Sequence, residues 1–277
     1  MTHQPPNSAP VRKPYVAGHF YPGDAAGLHR DVASCLKPAE GGPRPARGVV
    51  VPHAGYMYSG GVAGTVFATA RLPRRLVILG PNHTGLGRSI AVMRRGYWET
   101  PLGRVEIDET LAGLILDAAK VAEEDEAAHR AEHSLEVQIP FLQMSLGEFT
   151  FAPICVGTER YADLVALGTA LASVIEAIGE PVGVVMSTDM THYEPADRAR
   201  EKDYLAIRKM ETMDPEGLHR LIREHSISMC GYAPTTAGLH ALKNLGATRA
   251  DLIAYANSGD TSGDYRQVVG YAGLLIP

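Results

Sequence analysis

The sequence predicts an α/β fold, and two observations carry the prediction. The β-branched run Val49-Val50-Val51 stops at Pro52; His53, a glycine-punctuated turn and a helically spaced apolar stretch over 62–70 follow. The construction recurs over 75–85, where Leu76-Val77-Ile78-Leu79 leads into Gly80-Pro81-Asn82-His83. It recurs more loosely over 182–193, which ends in Ser187-Thr188-Asp189-Met190-Thr191-His192-Tyr193. Three buried-type strands thus each deliver a histidine at or just past the carboxyl end, where α/β folds place their ligands.

In chain order, residues 1–10 are polar and proline-rich and are expected to form a disordered N-terminal arm. Residues 11–277 are expected to form one domain. Residues 11–22 form an irregular segment packed by Tyr15, Phe20 and Tyr21, and Asp24 can cap a helix to about 36. A strand over 48–52 precedes a helix over 60–71, and strands are expected over 75–79, 89–93 and 103–107. Asp108 caps a helix to about 122. Residues 133–142 suggest a helix bent or interrupted by Pro140. A strand over 149–156, a long helix over 161–178 and a strand over 181–187 follow. Helices are expected over 195–210, 214–225 (with Pro215 at its first position) and 234–245. The last two strands, 251–257 and 267–276, flank a Gly/Asp-rich loop over 258–264. The whole is a single-domain mixed β-sheet with helices on both faces.

With 45% hydrophobic and 21% charged residues, the 277-residue chain has the make-up of an ordinary globular protein. A formal charge of −5 offers no basic footprint, which argues against nucleic acid as a partner. No run of about 18 uncharged apolar residues suggests a membrane span. The start lacks the charged and apolar regions of a signal peptide. Cys35, Cys155 and Cys230 are odd in number and scattered, which fits a reducing cytoplasm rather than a disulfide framework.

His53 and His83, at equivalent ends of adjacent-looking strands, could share a metal ion. The plainer alternative is that each only caps its loop. Asp189 precedes His192 by three residues and could set its tautomer and basicity, as a general base requires; a capping Asp beside a surface His is the alternative. Cys230 precedes a helix, a position that favours thiolate, although most free cysteines are buried small hydrophobes. His133 with Glu136 could be a pocket wall, a second acid/base pair, or a polar helix start. Tyr56, Asn82 and His133 are assigned to the wall that would meet a ligand.

Six motifs occur in order: Pro52-His53-Ala54-Gly55-Tyr56-x-Tyr58-Ser59-Gly60, Leu79-Gly80-Pro81-Asn82-His83, Glu132-His133-Ser134-Leu135-Glu136-Val137-Gln138, Ser187-Thr188-Asp189-Met190-x-His192-Tyr193, Cys230-Gly231 and Ser258-Gly259-Asp260-x-Ser262-Gly263-Asp264. Together, over 11–277, they resemble the Memo family, whose prokaryotic members are called AmmeMemoRadiSam system protein B. The resemblance implies a fold similar to class III extradiol dioxygenases of the LigB type. It implies a metal site of His53, His83 and Cys230 with His192 beside it and Asp189 steering that ring. Two histidines and a carboxylate hold Fe(II) in the dioxygenases; a thiolate at the third place suits copper, zinc or a differently tuned iron. The implied activities are a metal-dependent redox or dioxygenase-like enzyme, a non-catalytic module binding a peptide or small anion in the same pocket, or a zinc hydrolase. A radical-SAM protein is the partner implied by the family name.

Overall fold

A computed structural model describes residues 9–277. The expected disordered arm therefore falls, up to position 8, outside the described residues. The Pro10 carbonyl accepts a hydrogen bond from the Tyr97 amide.

The centre of the molecule is a run of five parallel strands, in the spatial order Gly103–Ile107, Thr150–Val156, Arg75–Pro81, Gly183–Ser187 and Gly48–Val51. Strands covered on both faces must be apolar on both, and Gly48–Val51 and Gly183–Ser187 are buried at every residue. Val268–Ile276 joins antiparallel to Gly48–Val51, and Asp251–Asn257 pairs with it at the sheet edge. Tyr97–Thr100 continues the other side antiparallel, so the sheet is mixed, as expected from the sequence.

Both faces carry helices. Tyr161–Ile178 and Tyr232–Asn244 pack together on one face, where Leu242 approaches Gly48. Tyr56–Thr69 lies on the other, where Val62 and Val66 approach Gly273. Ala25–Cys35 and Ile139–Leu146 pack beside it. Among the described residues, Tyr161–Ile178 is the one helix long and apolar enough to cross a membrane by length and composition, with a mean hydropathy of 1.5. Here Leu164, Leu167 and Leu171 are fully buried against the protein, which makes that apolar face a core face.

Local chemistry explains where expectation and structure differ. The helix after His53 runs over Tyr56–Thr69, earlier than 60–71. Its glycines are not breakers: a Cβ on Gly64 would collide with the backbone and side chain of Cys35, so the glycine lets two helices touch. Pro140 does not bend a helix. It stands in the first turn of Ile139–Leu146, after a 3-10 turn at Glu136–Gln138, where its missing N–H costs no bond. The loop over 258–264 holds one helical turn, Gly259–Ser262. The caps fall where expected: Asp24 accepts from Gly27 N at 2.8 Å, and Asp108 from Leu111 N at 2.8 Å.

Leu171→Ala should lower unfolding stability by about 2–5 kcal/mol, the usual cost of emptying a closed core site. Urea denaturation measures it, and a loss below about 1 kcal/mol would show that this helix is not part of the core.

Candidate metal centre

The strands ending before His53 and His83 look adjacent in the sequence but are not neighbours. Gly183–Ser187 runs between them, with Ser187 in register with Val51 and Met186 with Leu79. The middle strand contributes a hydroxyl instead of a ring. His53 Nδ1 lies 2.8 Å from Ser187 Oγ. That hydroxyl donates its single hydrogen to the Ser134 carbonyl at 2.7 Å and accepts from Gln138 Nε2 at 2.9 Å. Its remaining lone pair can only accept, so Nδ1 of His53 carries the proton and Nε2 keeps its lone pair.

His83 is set by a different device with the same outcome. Its backbone N–H donates to Glu132 Oε2 at 2.6 Å, and its Nδ1 lies 2.9 Å from Glu132 Oε1. A carboxylate acceptor holds the proton on Nδ1 and leaves Nε2 free, the arrangement that backs a metal-ligating imidazole. Glu132 has no solvent exposure. Burial would push its carboxyl up, but the hydrogen bond and charge of His83, the neighbouring His133 and the Ser134 N–H hold it down at about 2.

His133 completes the cluster. Its ring lies 4.7 Å from that of His83, centre to centre and near parallel, and edge-on to His53 at 5.4 Å. One donor nitrogen from each of His53, His83 and His133 lies within 4.8 Å of the others, so the three could hold a metal ion. Phe20 closes the outer side of His133 at 4.9 Å. Phe20 belongs to a segment that Glu136 ties down by accepting from Arg12, from the Tyr15 and Val16 amides and, at 2.6 Å, from the Tyr21 hydroxyl.

Cys230 also lies against His53, its Sγ 3.2 Å from Nε2. Gly231 permits this approach, because a Cβ there would strike the Ser187 carbonyl and Thr188. The helix start was expected to favour thiolate; in the ion-free chain, burial and then the nearby Asp189 carboxylate push the thiol up instead.

Asp189 is spent on His53, not on the ring of His192. Its Oδ1 accepts the His53 backbone N–H at 2.7 Å, and burial raises its carboxyl to about 6. The His192 ring is fixed by carbonyls: Nδ1 is 2.8 Å from Met190 O and 2.9 Å from Ser228 O. Two acceptors require a proton on Nδ1, so the free lone pair is again on Nε2. His192 opens the strand His192–Glu194 and is half-buried.

Two residues assigned to the pocket wall have internal duties. Tyr56 is buried among Tyr21 and Phe141, and its hydroxyl donates to the Val137 carbonyl at 2.7 Å. Asn82 organises its own loop: Nδ2 donates to Leu86 O, and Oδ1 accepts from the Thr84 hydroxyl and the Gly85 amide. Ser187, Glu132 and Gln138 stood in the sequence motifs without a role. Nothing local marks them, because Ser187 and Glu132 act on histidines far away in the chain and Gln138 acts through Ser187.

Fold and site together define a class: a mixed α/β protein with an ion-sized histidine cluster at the carboxyl ends of parallel strands. The model of the Memo-like protein family matches residues 12–275. The chain is 43% identical over 278 residues to a MEMO1 family protein of Methanopyrus kandleri, covering 96% of this chain and 98% of that one. It is 44% identical over 269 residues to a MEMO1 family protein of Aquifex aeolicus, covering 96% and 99%. The chain belongs to the Memo family. In fold alone it is similar to an uncharacterized protein of Escherichia coli K12, with a TM-score of 0.54 at 13% identity, covering 81% of this chain and 98% of that structure.

Burial lowers the pKa of His53 and His133 and holds that of His129 at about 4, so these imidazoles are neutral in the native chain. A base held below its ordinary 6.5 contributes stability above pH 6.5, and that stability is lost as pH falls toward the folded value. The urea midpoint of ion-free protein should therefore drop between pH 6.5 and about 4, and His129→Gln should make the drop shallower. Equal slopes would take His129 out of the account.

Proposed function

We propose that this chain is a metal-binding Memo protein whose ion is held by His53, His83 and His133. The reaction class best matched by such a site is redox or dioxygenase-like. The observation that carries the reading is the paired backing of two rings: Nδ1 of His53 is committed to Ser187 and Nδ1 of His83 to Glu132. Both lone pairs at Nε2 are thereby reserved for something else, and a third imidazole lies within reach of both. When bound, the ion would supply a Lewis-acid or electron-transfer centre; three neutral nitrogens suit iron(II), zinc or copper.

The chain's own residues would do the rest. His192 can accept a proton at Nε2, because its Nδ1–H is held by Met190 O and Ser228 O. Phe20 restricts water on the outer side of His133. A second ligand set is favoured by one distance, the 3.2 Å between Cys230 Sγ and His53 Nε2: Cys230, as thiolate, would replace His133 as the third donor. Removal of its proton by ion binding would offset the burial that now keeps it a thiol.

Metal content of untagged protein and anaerobic Co(II) titration test the reading. His53→Ala, His83→Ala and His133→Ala should each abolish stoichiometric binding while the fold persists. Full metal content in the two strand-end variants would place the ion elsewhere. Cys230→Ser should keep the ion; if it instead loses the ion or an intense sulfur-to-cobalt charge-transfer band, Cys230 is the third ligand. Glu132→Gln should weaken affinity about 10–100-fold, as loss of a carboxylate behind a ligating imidazole does. His192→Ala should leave the metal in place.

A further inference from the structure

The helix Ala196–Glu211 packs its buried side on the sheet and turns a charged stripe outward. Asp197, Glu201 and Arg208 recur at helical spacing on that stripe, with Arg200 beside them and Tyr204 and Leu205 between. A groove of about 460 Å³ follows these six side chains. A second, of about 340 Å³, runs between Arg200, Tyr204 and the strand Asp251–Asn257. That strand pairs with Val268–Ile276 on one side; its other edge has no partner among the described residues.

The charges of the stripe are unspent. Among the described residues, Asp197, Arg200, Glu201 and Arg208 enter no salt bridge, whereas the neighbouring Lys202 and Lys209 are paired with Glu194 and Asp214. Leu205 is 37% exposed near the middle of the stripe. Arg200 lies over the Tyr204 ring, its guanidinium carbon 5.5 Å from the ring centre. Along the stripe Asp197 and Glu201 stand toward one end with Arg200 between them, Tyr204 and Leu205 follow, and Arg208 stands at the other end. Such an order is complementary to itself when reversed.

We infer that this face is the interface of a two-fold dimer, with a second copy of this chain as the occupant. Set antiparallel about a point between Lys202 and Asp203, the helix places Asp197 against the partner's Arg208 and Arg208 against the partner's Asp197. Glu201 meets the partner's Tyr204, within one turn of the partner's Arg200. Leu205 packs on the stem of the partner's Arg200, and Tyr204 lies against the partner's Glu201. A contact of this kind is isologous, so each favourable pair occurs twice. The helix is about 24 Å long and the open strand about 23 Å. Side by side they offer a face of the extent a standard interface uses. The apolar residues Leu252 and Ile253 of the open strand would be covered with it, as exposed sheet edges usually are.

Sedimentation equilibrium of the full chain, from micromolar to submillimolar concentration at low salt, tests the inference. The wild-type chain should form dimers. Asp197→Arg and Arg208→Asp each bring two like-charged contacts into the interface, and each should weaken dimerisation about tenfold or more. An equimolar mixture of the two variants restores both pairs and should form heterodimers as tightly as the wild type. Circular dichroism melts and metal content show whether each variant is folded, and the double variant Asp197→Arg/Arg208→Asp should dimerise again. A wild-type chain that stays monomeric, single variants that dimerise unchanged, or a mixture that does not recombine would each overturn the inference.

Discussion

One buried carboxylate sets the geometry of the site. Glu132 has no access to solvent, yet burial does not neutralise it, because the His83 amide, the His83 ring and the Ser134 amide all point hydrogens at it. The cost of keeping that charge inside is met only while His83 stays where it is. Ring position, tautomer and loop conformation of His83 are therefore one constraint. The same short segment reaches the other two rings: it carries His133 itself, and Gln138 and the Ser134 carbonyl fix the hydroxyl of Ser187 that backs His53. Seven consecutive residues thus control all three imidazoles.

That segment also ties the site to the start of the chain. Glu136, four residues after Glu132, gathers donors from Arg12, Tyr15, Val16 and Tyr21 and so holds Phe20 against His133. Arg12 adds bonds to the His129 and Glu132 carbonyls and lies 4.1 Å over the Trp98 ring. A buried ion pair of this kind contributes little net stability, since desolvation offsets the attraction. Breaking it would leave a bare charge beside the histidines. Its physical consequence is placement, keeping an apolar wall next to a polar cluster.

Electrostatics separate the neighbours of His53 into two sets. Toward His83 and His133 lie two imidazoles; burial keeps His53 itself and His133 neutral, which is the form that donates a lone pair. Toward Cys230 and Asp189 lie groups whose burial favours the protonated form. An ion arriving at Nε2 of His53 meets imidazole nitrogens and also a thiol that must first lose its proton. The balance between the two ligand sets rests on that difference.

The strand–histidine pattern at His53 and His83, the unbroken apolar runs of the central strands and the caps at Asp24 and Asp108 were legible in the sequence, because each depends on neighbours within a few residues. So was the family, from six motifs in order. Only the tertiary structure decided that Gly183–Ser187 lies between the two histidine strands, that Asp189 serves the His53 backbone, and that Tyr56 turns inward. Glu132 and Ser187 gained their roles in the same way. Each is a contact between side chains dozens of residues apart, and no local spacing encodes which strand becomes the neighbour of which. The sequence by itself determined where chemistry could gather, at the carboxyl ends of the strands. Packing decided which atoms face one another there, because hydrogen-bond partners are assigned only when the sheet order is complete.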